Sequence, residues 1–166
     1  MKTFGILMIA LIPFFLSIRM GEAIRLKEKR KRAFLELLSH VHFQIENFNR
    51  DQGEIFACFE NAVLKETEFF CELNRRVKAA PLGAFGAVWE AYGSEFSFEP
   101  PTNEVLSRLA KHFGMLERIA QLEELEHSIE ILEKNSEKGK TGCENQIKIL
   151  RTTGLTAGLG ILILLL

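Results

Sequence analysis

Cysteine and proline are scarce in this chain and glycine is no more than ordinary, and each count removes a class of protein. Three cysteines among 166 residues, none at C-x-x-C spacing, argue against a disulfide scaffold and a structural zinc site. Four prolines and twelve glycines rule out collagen-like repeats and linker-type disorder. Charge of one sign is also missing overall, with a formal net charge of −1. What is present is a hydrophobic fraction of 47% and a charged fraction of 26%. That mixture suits one ordinary domain and is too polar for a protein wholly embedded in a membrane.

The near-zero net charge hides a division along the chain. Residues 19–32 hold seven basic and two acidic side chains, residues 33–136 hold nine and eighteen, and residues 137–151 hold four and two. Two basic stretches therefore flank an acidic body, and each lies beside an uncharged apolar run. Thr3–Ile18 is the first run, and Thr152–Leu166 is the second. Crossing ~30 Å of hydrocarbon takes about 20 helical residues. Met1–Met20 and Ile147–Leu166 reach that length if Lys2, Arg19, Lys148 and Arg151 extend their heads to the interface.

The sequence thus divides into an N-terminal transmembrane helix over 1–20, a helical body over 25–146 and a C-terminal transmembrane helix over 147–166. A cleaved signal peptide is the rival for the first segment, with Lys2 as its basic start and Gly21-Glu22-Ala23 as a small-x-small cleavage site. The basic cluster Arg25, Lys27, Lys29, Arg30, Lys31 and Arg32 favours an anchor, because positive flanks stay in the cytoplasm. The same rule places the body in the cytoplasm, where unpaired cysteines are tolerated. Beside a span, the cluster is expected to attract anionic headgroups at ~1 kcal/mol per basic residue.

The body reads as all-α, an antiparallel up-and-down bundle of about six helices between the two terminal spans. Phe34, Leu37, Leu38, Val41, Ile45 and Phe48 recur at helical spacing from a start near Arg25. Asn49–Gly53 stops that helix. A second helix carries Ile55, Phe56, Phe59 and Val63, and a third carries Phe69, Phe70, Leu73 and Val77, with Lys65-Glu66-Thr67 as a kink between them. Pro81 closes that unit. Phe85, Val88, Trp89 and Tyr92 form a fourth, aromatic face. Pro100-Pro101 interrupts, Thr102 is the N-cap expected for a fifth helix through Phe113, and Gly114 ends it. Leu116, Ile119, Leu122, Leu125, Ile129 and Leu132 form the narrow seam of a sixth. Gly139 and Gly142 weaken the chain before the second span.

An even helix number returns the chain to its membrane face. The turns near Asp51, Pro81 and Gly114 then lie at the pole away from the membrane, making Asp51 and Glu54 candidates for partner docking.

Chemistry is hard to find. His40 and His42 point to different helix faces. His127 has Glu123 four residues before and Glu130 three after, but Glu124, Glu126 and Glu133 make this a charged solvent face. A di-metal bundle site needs a second such set. Cys58 and Cys71 read as small core residues. Leu82–Gly86 lacks the Lys-Ser/Thr of a phosphate loop. Trp89, the single tryptophan, reads as core or as the wall of a partner groove. No catalytic residue, metal ligand or cofactor site is assigned, and the chain reads as a non-enzyme. An anchored helical bundle of this kind is an assembly or adaptor component.

The ends and the last third carry a resemblance. Arg151-Thr152-Thr153-Gly154-Leu155-Thr156-Ala157-Gly158-Leu159 is similar to R-S-L-G-x-x-x-G-L, matching at Arg151, Gly154, Gly158 and Leu159. Upstream, Gly114 and Gln121 match the pattern L-G-x-x-L-G-x-x-D-x-x-x-Q, while Ala110, Phe113 and Glu117 depart from it. Trp89 in Ala87-Val88-Trp89-Glu90 is similar to a single family tryptophan. Together these resemble the stage III sporulation protein AB family of endospore-forming bacteria. The resemblance implies a six-helix cytosolic domain like that of the type II secretion inner-membrane F protein, and no catalytic residues or cofactors. It also implies partners among other stage III sporulation proteins, including a secretion-type ATPase and polytopic membrane subunits, with membrane lipids and no nucleic acid. The expected role is a structural subunit of the channel apparatus between mother cell and forespore. The expected location is the mother-cell side of the septal membrane. The alternative is a tail-anchored adaptor or regulator with a cleaved or buried N-terminal segment. Independently of family, G-x-x-x-G at Gly154 and Gly158 lets helices approach closely in lipid.

Overall fold

The computed structural model describes residues 2–48, 50–96 and 98–165, apart from the side chains of 2–11, 14, 138–141, 162, 164 and 165. Among the described residues there are seven α-helices, one 3-10 turn and no strand. They are α1 (Lys2–Phe48), α2 (Gln52–Ala57), α3 (Ala62–Lys65), α4 (Glu68–Ala79), α5 (Ala84–Tyr92), the 3-10 turn η1 (Gly93–Phe96), α6 (Pro100–His112) and α7 (Arg118–Leu165). The chain divides into two compact units. Residues 1–28 and 138–166 form a terminal pair, and residues 29–137 form a bundle.

In the bundle the apolar seams meet in one core. Phe34, Leu37, Leu38 and Val41 of α1 are buried with Ile55 and Phe56 of α2, Phe69 and Leu73 of α4, and Phe85, Val88 and Trp89 of α5. Leu106 and Leu109 of α6 and Leu125 and Leu132 of α7 complete it. Successive elements are neighbours: α4 packs on α2, α3 and α5, and α5 packs on η1 and α6. Aromatic rings fill the centre. Phe34 lies 4.7 Å from Phe96 and 5.5 Å from Trp89, both edge to face, a geometry that suits ring quadrupoles.

Several boundaries differ from the sequence expectation, each for a local reason. The first helix does not begin near Arg25, because α1 is continuous from Lys2. The second helix does not reach Val63. Its α2 portion ends at Ala57, and Asn61 caps a separate turn by accepting bonds from the Val63 and Leu64 amides at 2.9 and 3.2 Å. Thr67 is the N-cap of α4: its hydroxyl accepts from the Phe70 amide at 3.3 Å. Thr102 is not a cap. Pro100 and Pro101 open α6, where a missing N–H costs nothing, and Thr102 is buried inside the helix. Helix α7 starts at Arg118, so Leu116 precedes it, and it runs on through Gly142.

Burial corrects other expectations. Phe48, Leu116 and Ile119 are exposed, although their spacing puts them on the seams. Cys58 and Cys71 are exposed and are not core residues. Gly114 does terminate α6, with φ +78° two residues past the helix end. A Cβ there would also strike the Gln52 side chain. Leu125 and Leu132 are fully buried, while Leu122 and Ile129 are partly so.

Candidate functional site

The terminal pair is built from small residues. A Cβ on Gly154 of α7 would fall 2.6 Å from the Ser17 hydroxyl oxygen and 3.1 Å from the Pro13 carbonyl oxygen of α1. One on Gly21 would lie 3.7 Å from Ile147. Contacts 21/147 and 17/154 run in opposite senses, so the two segments are antiparallel. Ser17, Gly21 and Gly154 are buried between them, Ser17 at only 5% exposure. Large apolar residues face the other way. Ile12, Phe15, Leu16, Leu155, Leu159 and Ile163 are exposed, from 51% to 76%.

Hydroxyls on α7 turn back on their own helix. The Thr152 hydroxyl donates to the Lys148 carbonyl at 2.9 Å, and that of Thr156 donates to the Thr152 carbonyl at 3.0 Å. Those groups therefore need no water. Gly158 is half-buried and Arg151 is exposed. Among the described residues no helix is long and apolar enough to cross a membrane. Most of the first apolar run, over 3–11 and at Phe14, has side chains outside the described residues, as do Leu162, Leu164, Leu165 and Leu166 of the second. The side chains of Lys138 and Lys140, in the second basic stretch, lie outside them too.

The first basic cluster divides. Arg25, Lys29 and Arg32 are exposed and Lys27 is half-buried. Arg30 instead donates to the Glu95 carbonyl at 2.8 Å, and Lys31, 2% exposed, has its Nζ 3.7 Å from Glu99. The sequence reading treated all six alike. A signal was available: Lys31 lies three residues before Phe34 and seven before Leu38, on the apolar seam.

At one end of the bundle three turns converge. Gln52 packs on Gly114, Gly53 approaches Val77, and Gly83, at φ +68°, faces Met115. Asp51 occupies the N-cap position of α2 without a side-chain capping bond, and Glu54 is exposed in its first turn. Around them Phe43, Phe48, Leu82, Met115 and Ile119 are exposed, an apolar display that sequence periodicity did not anticipate. The Arg50 guanidinium covers the Phe48 ring at 5.4 Å, and Arg118 donates to the Glu46 carbonyl at 2.8 Å.

Trp89 belongs to the core, and its indole N–H donates to the Ser107 hydroxyl at 3.0 Å. Beside it, a groove of about 600 Å³ runs between α5 and α6. Gly86 allows that crossing, since a Cβ there would meet the Ala110 carbonyl oxygen at 2.6 Å. Gln121 is buried in the first turn of α7.

Among the described residues no three His, Cys, Asp or Glu side chains are placed to share a metal ion. His127 is exposed, and its neighbour Glu130 is engaged by Lys134 at 2.7 Å, which lowers the Glu130 pKa. His40 packs on the Phe59 ring at 5.4 Å, and His42 lies 3.7 Å from Glu46. Hydrogen bonds from Arg75 and Arg76 hold Glu72 at about 2, well below the usual carboxylate range. The Glu72 and Glu130 pairs are surface ion pairs.

The chain matches no curated protein and no solved structure. The family model of stage III sporulation protein AB, in contrast, matches residues 2–166, essentially the full length. The chain therefore belongs to the stage III sporulation protein AB family.

Proposed function

We propose that this sporulation protein is a structural, non-enzymatic subunit of the secretion-like channel apparatus between mother cell and forespore. Its two terminal segments anchor it in the membrane, and its bundle lies in the mother-cell cytoplasm. One observation carries the anchoring: the terminal pair buries Ser17, Gly21, Gly154 and Ile147 at its contact and exposes Ile12, Phe15, Leu16, Leu155, Leu159 and Ile163. In water that arrangement forfeits the hydrophobic effect. In lipid it is the ordinary one, because close packing of small residues joins helices while large apolar residues meet acyl chains. Arg25, Lys29 and Arg32, exposed beside the first segment, supply the positive flank of an inward-facing loop and attract anionic headgroups.

Family membership implies partners among other sporulation proteins. The converged turns, with exposed apolar residues beside Asp51 and Glu54, are the surface we assign to a cytosolic secretion-type ATPase or a polytopic subunit. A reporter active only outside the cytoplasm, fused after residue 140, tests the topology. It stays silent if the reading holds, and strong activity overturns the cytoplasmic placement. Docking is tested by Asp51→Lys with Glu54→Lys, which should weaken capture of the partner without unfolding the bundle. Capture that survives those reversals but fails in Gly154→Ile, Gly158→Ile moves the contact into the membrane.

A further inference from the structure

Arg30 and Lys31 do something that the membrane reading does not require. Both reach across the bundle to the residues between α5 and α6. Arg30 holds the Glu95 carbonyl at 2.8 Å, places a second guanidinium nitrogen 3.8 Å from the Glu95 carboxylate, and lies 5.7 Å from the Phe96 ring centre. Lys31 reaches Glu99 at 3.7 Å. Beneath these contacts Phe96 and Phe98 stack on Trp89 at 6.2 and 6.4 Å, and both meet Phe34 edge on.

We propose that Arg30 and Lys31 are the clasp of a salt-sensitive latch that holds η1, Phe98 and Glu99 over Trp89, and that opening it uncovers the aromatic cluster. The clasp is incompletely satisfied. Arg30 Nε and Glu95 Oε2 are buried without hydrogen-bond partners among the described residues, so opening returns two polar atoms to water. The Lys31–Glu99 separation exceeds hydrogen-bond length. Coulomb attraction carries that pair, and Glu99 is half exposed, so dissolved ions reach it. Below the clasp, α5 is held independently by the Trp89–Ser107 bond and the Gly86 crossing. A single 3-10 turn can therefore lift while α5 and α6 stay packed, at less cost than global unfolding. The lifted state presents Phe34, Phe69 and Trp89 as a new apolar surface.

Trp89 is the only tryptophan, so its fluorescence in the full-length chain reports the latch directly. Acrylamide quenching in detergent micelles should rise roughly twofold between ~50 mM and ~1 M sodium chloride as the clasp is screened. Glu95→Gln with Glu99→Gln should show the raised quenching at low salt and little further response. Lys31→Met removes one charge of the clasp and leaves an exposed Glu99, so the salt response should shrink while helicity persists. Quenching that ignores salt in the unaltered chain, or a double variant quenched like it, overturns the latch. Should the double variant lose helicity, amide exchange at 93–96 in the unaltered chain decides. Faster exchange there at high salt than in α5 supports the latch, and equal exchange sinks it.

Discussion

The two units of this chain obey opposite burial rules. In the bundle, Phe34, Phe56, Phe69, Phe85 and Phe96 are almost wholly buried. In the terminal pair most of the described large side chains face outward, and Ser17, Gly21 and Gly154 form the contact with Ile147. The same helical backbone serves both, running unbroken from one unit into the other in α1 and in α7. Under the proposed anchoring, what changes is the medium that each surface meets. The bundle gains stability by removing apolar area from water. The terminal pair exposes much of its described apolar surface and relies on close backbone approach at Gly21 and Gly154, the mode of packing that the proposed lipid setting favours.

The contrast breaks first at Phe34. Its ring meets those of Phe69, Trp89, Phe96 and Phe98 within 5.5 Å, so Phe34→Ala opens a cavity in the bundle alone. We expect a loss of ~3–5 kcal/mol in denaturant unfolding. A loss below ~1 kcal/mol would mean that the aromatic core is not what holds the bundle. Gly154→Ile is the converse, since its side chain must occupy the space of Ser17 and the Pro13 carbonyl. An overpacking cost of ~1–3 kcal/mol should part the terminal segments and spare the bundle. Gly21→Cys and Ile147→Cys, in a chain stripped of its natural cysteines, should cross-link readily, and Gly154→Ile should suppress the cross-link. Undiminished cross-linking in that variant would show that the glycine contact is dispensable.

What the sequence disclosed follows the same division. Helical periodicity marked the seams through Phe34–Ile45, Phe69–Val77 and Leu125–Leu132, because apolar burial in water imprints a 3.6-residue period. Gly114 was legible as a stop because only a left-handed residue suits that turn. Phe48, Leu116 and Ile119 share the period yet are exposed: periodicity marks a face, and only tertiary contacts decide whether something covers it. Lys31 was misjudged for the reverse reason. A charge within a basic run looks solvated, and the partner beside which Lys31 is buried, Glu99, is far along the chain. The partner of Gly154 was likewise hidden, since nothing in a local pattern pairs it with Ser17. Family patterns marked Trp89, Gly114, Gln121 and Gly154 without supplying their contacts.

Smaller effects sharpen the bundle's side of the contrast. Gly114→Ala should cost ~1–2 kcal/mol, the usual penalty of a left-handed backbone for a residue with a Cβ, plus whatever Gln52 must yield. Its cross-linking at 21 and 147 should be unchanged. A stability equal to that of the unaltered chain would mean that the turn has relaxed to another backbone conformation.

The smallest effect lies at Glu72, where charge on the bundle surface is tested apart from its core. The carboxylate accepts from Arg75 at 2.6 and 2.8 Å and from Arg76 at 2.7 Å. Those bonds lower its pKa from 4.5 to about 2 in the folded chain. A carboxylate whose folded pKa is depressed stabilises the fold fully above its unfolded value and loses that contribution as pH falls through the folded one. The window therefore runs from pH 4.5 down to about 2. Both arginines are well exposed, and exposed pairs are weakened by solvent and salt, so the gain is slight beside that of Phe34. Glu72→Gln should lower the thermal midpoint a little at neutral pH, with the gap to the unaltered chain closing as the pH approaches 2. A gap that persists undiminished at the acid end would mean that glutamine disturbs α4 by its shape, and that the ion pair contributes nothing.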